Sequence, residues 1–112
     1  GAGLTSGGAW VNASDVNKKE DFTDIDGALL LKKISAINIQ RWKYKGSNEY
    51  HIGPTAQDFF KAFNVGTNDK SISTVDPAGI ALVAIKEQQK IIDKQNVLIA
   101  GLLKRIEAIE RK

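Results

Sequence analysis

Four isoleucines at strict seven-residue spacing, Ile85, Ile92, Ile99 and Ile106, constrain this chain more than any other feature. An ideal straight helix drifts by about 20° per seven residues, so helices that keep such a ridge supercoil and bury it against one another. Three residues further on stand Gln88, Gln95, Leu102 and Ile109, polar in the first two heptads and apolar in the last two. Isoleucine at the first seam position with leucine or isoleucine at the second favours three or four strands over two. The spacing therefore predicts a parallel bundle of which this chain is one subunit.

The flanking positions fit a parallel arrangement. Arg105 precedes the seam residue Ile106, and Glu110 falls at the flanking position of the next heptad, the placement of an interchain ion pair. Such pairs select partner and register more than they add stability. Ile91 and Leu98 widen the apolar stripe beyond the needs of a two-helix seam. Gln88 and Gln95 predict polar layers that weaken the bundle while fixing its alignment. The competing reading is an amphipathic helix packed on its own domain, which a repeat of 3.6 would serve better than one of 3.5.

If the last thirty or so of the 112 residues form that helix, only about 80 remain for a core, and association would support a marginal fold. The chain has no cysteine and one histidine, which excludes disulfides and Cys- or His-rich metal sites; no metal and no cofactor are expected. The net charge of +3 is scattered among acids and bases. Alternation along Arg41-Trp42-Lys43-Tyr44-Lys45 places the aromatics on one face of a strand and the bases on a solvated other face, so no nucleic-acid partner is expected. No apolar stretch approaches a membrane span and the first twelve residues lack signal-peptide character, so no membrane partner is expected. With no initiator methionine, the chain reads as the C-terminal piece of something longer.

The predicted class is α+β: a small helix and β-hairpin head followed by a long C-terminal helix in a parallel coiled coil of three or four strands. Residues 1–13, rich in Gly, Ala, Ser and Thr with Trp10 as the only large anchor, read as a linker or the last extended segment of a preceding domain. The head spans 14–76 and the long helix 77–112. Within the head, Ala28 to Ile37 fits a helix capped by Asp26. A strand over Ile39–Lys45, a turn at Gly46-Ser47-Asn48 and a return strand over Tyr50–Ile52 predict a hairpin. Thr55 with Asp58 opens a second helix whose apolar stripe is Phe59, Phe60 and Phe63, expected in the core, and Gly66 stops it. Ser71–Val75 reads as a short strand. Asp76-Pro77 then marks a helix start, an Asx cap followed by proline at the first helical position. A helix of about 35 residues would run about 52 Å, too long to pack wholly on so small a head.

Three segments carry a family resemblance: Gly7-Gly8-Ala9-Trp10 leading to Ser14-Asp15 and Lys19; Trp42 to Lys45 followed by His51-Ile52-Gly53-Pro54-Thr55-Ala56-Gln57-Asp58-Phe59; and Ile72, Val75-Asp76 and Ala84-Ile85-Lys86-Glu87. Together they resemble the C-terminal intramolecular chaperone domain of endosialidase tailspikes. The central His-Ile-Gly to Ala-Gln-Asp block is the most specific part. The resemblance implies a homotrimer at the end of a phage tail fibre, tailspike or bacterial surface fibre, outside the cell. There it would guide the upstream fibre or β-helix of the same chain into register and in many members cut itself off before the serine of Ser-Asp.

That bond would be Ala13–Ser14, with Ser14 as nucleophile and Lys19 as base, a self-cleaving Ser–Lys peptidase acting once in cis. Spacing alone does not select Lys19 over Lys18; the family's Ser-Asp-x-x-x-Lys pattern does. A serine hydroxyl needs a base, and a lysine serves only where burial makes its neutral form accessible. Asp15 either orients the motif or caps the next helical turn. His51 and Gln57 match the family's central block; they either position the scissile segment, bond across the subunit interface, or serve the fold of the head. Thirteen residues still precede Ser14, as expected where the bond is intact. The alternative is a non-cleaving, permanent trimeric fibre tip or adhesin module. A transcription-factor-releasing relative ranks last, because no DNA-recognition motif is present.

Overall fold

The computed structural model describes residues 2–111. Gly1 and Lys112, the outer limits of the expected first and last segments, lie outside the described residues. The order of elements is β1 (Ala2–Leu4), β2 (Trp10–Asn12), α1 (Gly27–Ala36), β3 (Gln40–Lys43), β4 (Tyr50–Gly53), α2 (Ala56–Phe63) and α3 (Val75–Glu110), an α+β chain. Its radius of gyration is 20.7 Å, against about 13 Å for a compact domain of this length. One helix of 36 residues explains the difference.

The head forms where local signals are strong. The Asp26 carboxylate accepts from Leu29 N at 3.1 Å and starts α1. Thr55 Oγ1 accepts from Asp58 N at 3.1 Å and starts α2. Each occupies one of the donors a helix start leaves without a partner. α2 ends two residues earlier than its glycine suggests: Asn64 takes the left-handed conformation (φ 50°) and closes the helix, and Gly66 (φ 92°) only continues the turn. β3 and β4 pair antiparallel with Trp42 opposite His51 and Lys43 opposite Tyr50. The basic face of this hairpin is stacked as well as solvated, because the Arg41 guanidinium lies 3.6 Å from the Tyr50 ring centre.

Three further expectations are corrected. Residues 2–12 form a hairpin, not a single extended linker: Gly8 (φ 86°) supplies the turn and Thr5 N donates to Ala9 O at 2.7 Å. Trp10 is no anchor, being 78% exposed. Ser71–Ser73 carry no strand, and α3 begins at Val75 with Thr74 as its cap residue; Asp76 lies in the first turn. Pro77 thus occupies the third helical position, where its missing N–H still costs no intrahelical bond.

Among the described residues the buried apolar core is Leu30, Phe59 and Ala84, one from each helix. α1 packs along α3 and touches α2. On α3 the covered stripe is Asp76, Ile80, Val83, Ala84 and Glu87; from Gln88 to Glu110 every residue is exposed. Gly27 lets α1 lie close to Glu87: a Cβ there would stand 2.6 Å from Glu87 Oε2 and 3.3 Å from its Cβ. The Glu87 carboxylate, 17% exposed, faces the start of α1, where the helix dipole favours negative charge.

Candidate active site

A five-residue stretch places the serine and lysine together. After Ser14, Asp15 caps a 3-10 turn over Val16–Lys18, its carboxylate accepting from Asn17 N at 3.0 Å. Lys18 N donates to Asp15 O at 3.0 Å and Lys19 N to Val16 O at 3.3 Å. The chain leaves the turn extended at Lys19 (φ −118°, ψ 150°). From there Lys19 Nζ donates to Ser14 Oγ at 2.6 Å. Lys19, and not Lys18, makes this bond. Both partners are exposed in the single chain.

Lys19 stands at the edge of an open apolar groove of about 780 Å³. Phe22, Ile25 and Leu29 form one wall, and Phe63, Ile80 and Val83 belong to the other elements around it. The spacing of Phe22, Ile25 and Leu29, three and four apart amid acids, is the sequence signal for this wall. Sequence reasoning left it unassigned. Ala13 lies elsewhere, in a recess of about 440 Å³ lined also by Asn12, Ser73, Thr74 and Val75 at the start of α3.

His51 and Gln57 are not gathered at the serine. The His51 ring lies 5.2 Å from that of Trp42 and 6.1 Å from that of Tyr44, with Glu49 Oε2 3.6 Å from its Nε2. Gln57 lines a cleft of about 510 Å³ between the β3–β4 hairpin and α2, together with Trp42 and Tyr44. Neither residue borders the groove at Lys19 or the recess at Ala13. Trp42 Nε1 is buried there without a hydrogen-bond partner, close to Gly53.

The seam residues of α3 are uncovered. Ile85, Ile92, Ile99, Leu102, Ile106 and Ile109 are between 46 and 69% exposed. Gln88 and Gln95 are exposed among them. Among the described residues no three His, Cys, Asp or Glu side chains gather as a metal site. No helix among the described residues is long and apolar enough to cross a membrane.

No curated protein matches the chain. Residues 14–65 match the family described as chaperone of endosialidase. The match opens on Ser14, contains Lys19, both strands of the β3–β4 hairpin, His51, Gln57 and all of α2, and stops short of α3. Over this segment, 52 of its 112 residues, the chain is similar to the chaperone of endosialidase family.

Proposed function

We propose that this chain is an intramolecular chaperone that joins three copies along Ile85 to Ile109, sets the upstream fibre or tailspike in register, and cuts itself free at Ala13–Ser14. The observation that carries the reading is the uncovered ridge: a helix with an apolar residue every seven positions runs well past its own head. Such a ridge in water is costly, at ~25 cal/mol for each Å² of apolar surface, and copies of itself are the partners whose repeat matches. Once three helices are joined, the upstream chains meet at high effective concentration, not as a three-body encounter. The family's description, a chaperone of a tailspike enzyme, agrees with such an upstream partner and with a phage or cell-surface setting.

For cleavage, Ser14 Oγ attacks the Ala13 carbonyl carbon and Lys19 accepts the hydroxyl proton. The Ala13–Ser14 C–N bond breaks, the proton passes to the departing Ser14 amine, and the acyl group rests on Ser14 Oγ as an ester. Water then hydrolyses that ester, so one water is consumed per bond cut. The 2.6 Å contact suits the proton transfer. A lysine in water is charged, so the base becomes competent when its surroundings are covered. Lys19 borders the apolar groove, and burial of that groove on assembly would serve. The upstream fibre would afterwards be held kinetically.

Exposure of Ser14 and Lys19 in the single chain favours one other reading, a permanent fibre tip that trimerises and cuts nothing. Wild type and Ser14→Ala, incubated in parallel and followed by mass, separate the two. A fragment beginning at Ser14 in wild type alone supports the peptidase. Intact chains in both, at a solution mass of three copies, support the tip. A single-copy solution mass at micromolar concentration overturns both.

A further inference from the structure

Among the described residues, the bonds that bring Lys19 to Ser14 lie within residues 14–19 and no other element supplies one. Two lysines are adjacent in sequence, and the turn decides between them. Lys18 is the last residue of the turn and makes no bond to Ser14. Lys19 leaves the turn in an extended conformation and returns to the serine. The turn itself has few supports: two backbone bonds and the Asp15 carboxylate on Asn17 N. It buries no residue, so packing cannot hold it. We propose that Asp15 is a positioning residue for the Ser14–Lys19 pair, acting through its cap on Asn17 N and not through its charge. For the reaction this deepens the cleavage reading above; for the geometry it stands alone.

The cap needs only an acceptor oxygen, which asparagine provides equally well. Cap and charge are therefore separable by substitution: Asp15→Asn keeps the first and removes the second, whereas Asp15→Ala removes both.

Two readouts on the full chain test this. In the first, the nuclear Overhauser contact between Lys19 Hε and Ser14 Hβ is present in wild type and in Asp15→Asn, and lost in Asp15→Ala. In the second, release of the fragment beginning at Ser14 is about fivefold slower in Asp15→Ala, the population lost with one cap. Asp15→Asn restores the wild-type rate or exceeds it. Melting of the head stays unchanged in both variants, since the turn is exposed. Loss of the Lys19–Ser14 contact in Asp15→Asn, or its survival in Asp15→Ala, overturns the proposal. Asp15→Asn as slow as Asp15→Ala also overturns it, by assigning the effect to charge. A wild type that retains the contact and never cuts counts against cleavage and leaves the positioning role standing.

Discussion

The two halves of α3 have similar helix-forming residues and opposite surroundings. From Val75 to Glu87 the helix lies under α1, with Ile80, Val83, Ala84 and Glu87 turned into the head. From Gln88 to Glu110 every residue is exposed and its isoleucines face solvent. The stripes are adjacent: Ala84 is 8% exposed and Ile85, the next residue, is 60% exposed. One helix thus serves its own head on one face and carries an open seam on the next. An isolated helix is marginal in water and most helical stability comes from packing a face, so the distal half lacks within the chain what the proximal half has.

The sharpest way to break this contrast is Ile99→Asp in the distal half. If three copies share the seam, it buries three like charges at one layer, at several kcal/mol per ion, and light scattering will show the mass falling from three chains to one. The head, whose core lies elsewhere, should keep its near-UV aromatic signal. A three-chain mass that survives Ile99→Asp would remove the seam from the proposal.

The next effect belongs to the head. Phe59 is the most buried residue of the core and packs 5.1 Å from the Phe63 ring. Phe59→Ala should cost about 3–5 kcal/mol and lower the denaturant midpoint of the head, while the three-chain mass persists. If the mass falls too, the halves fold as one cooperative unit and the contrast is one of burial only.

Gly27→Val is the smaller probe, at about 1–3 kcal/mol of overpacking against Glu87, read by denaturant melting. Glu87→Ala in the same chain should recover part of that cost, because the two sites share one contact. Strict additivity would show that Glu87 does not hold α1 on α3.

Legibility in the sequence followed range. Asp26 and Thr55 were readable as helix caps because a cap is settled within four residues. The β3–β4 hairpin was readable because alternation and the Gly46 turn sit side by side. The first hairpin was missed although Gly7-Gly8 is a turn signal, because its strands are three residues each and too short to show alternation. Ser71–Val75 looked like a strand by composition, yet among the described residues no strand pairs with it and the chain turns directly into α3. Of the candidate site, the pairing of Ser14 with a lysine was expected; its geometry and the nearby groove were not legible. His51 and Gln57, close to each other in sequence, gather around Trp42, a place set by strand register.

By itself the sequence determined what is periodic or local: a seven-residue ridge, three helices, two caps and a serine five residues before a lysine. Only the tertiary structure decided which stripe of α3 the head claims and which glycine stands against Glu87. The physical reason is that periodicity fixes the angle between faces of an element but not its partner. Partners are chosen by where the chain leaves one element and enters the next, and that direction is a property of the folded whole.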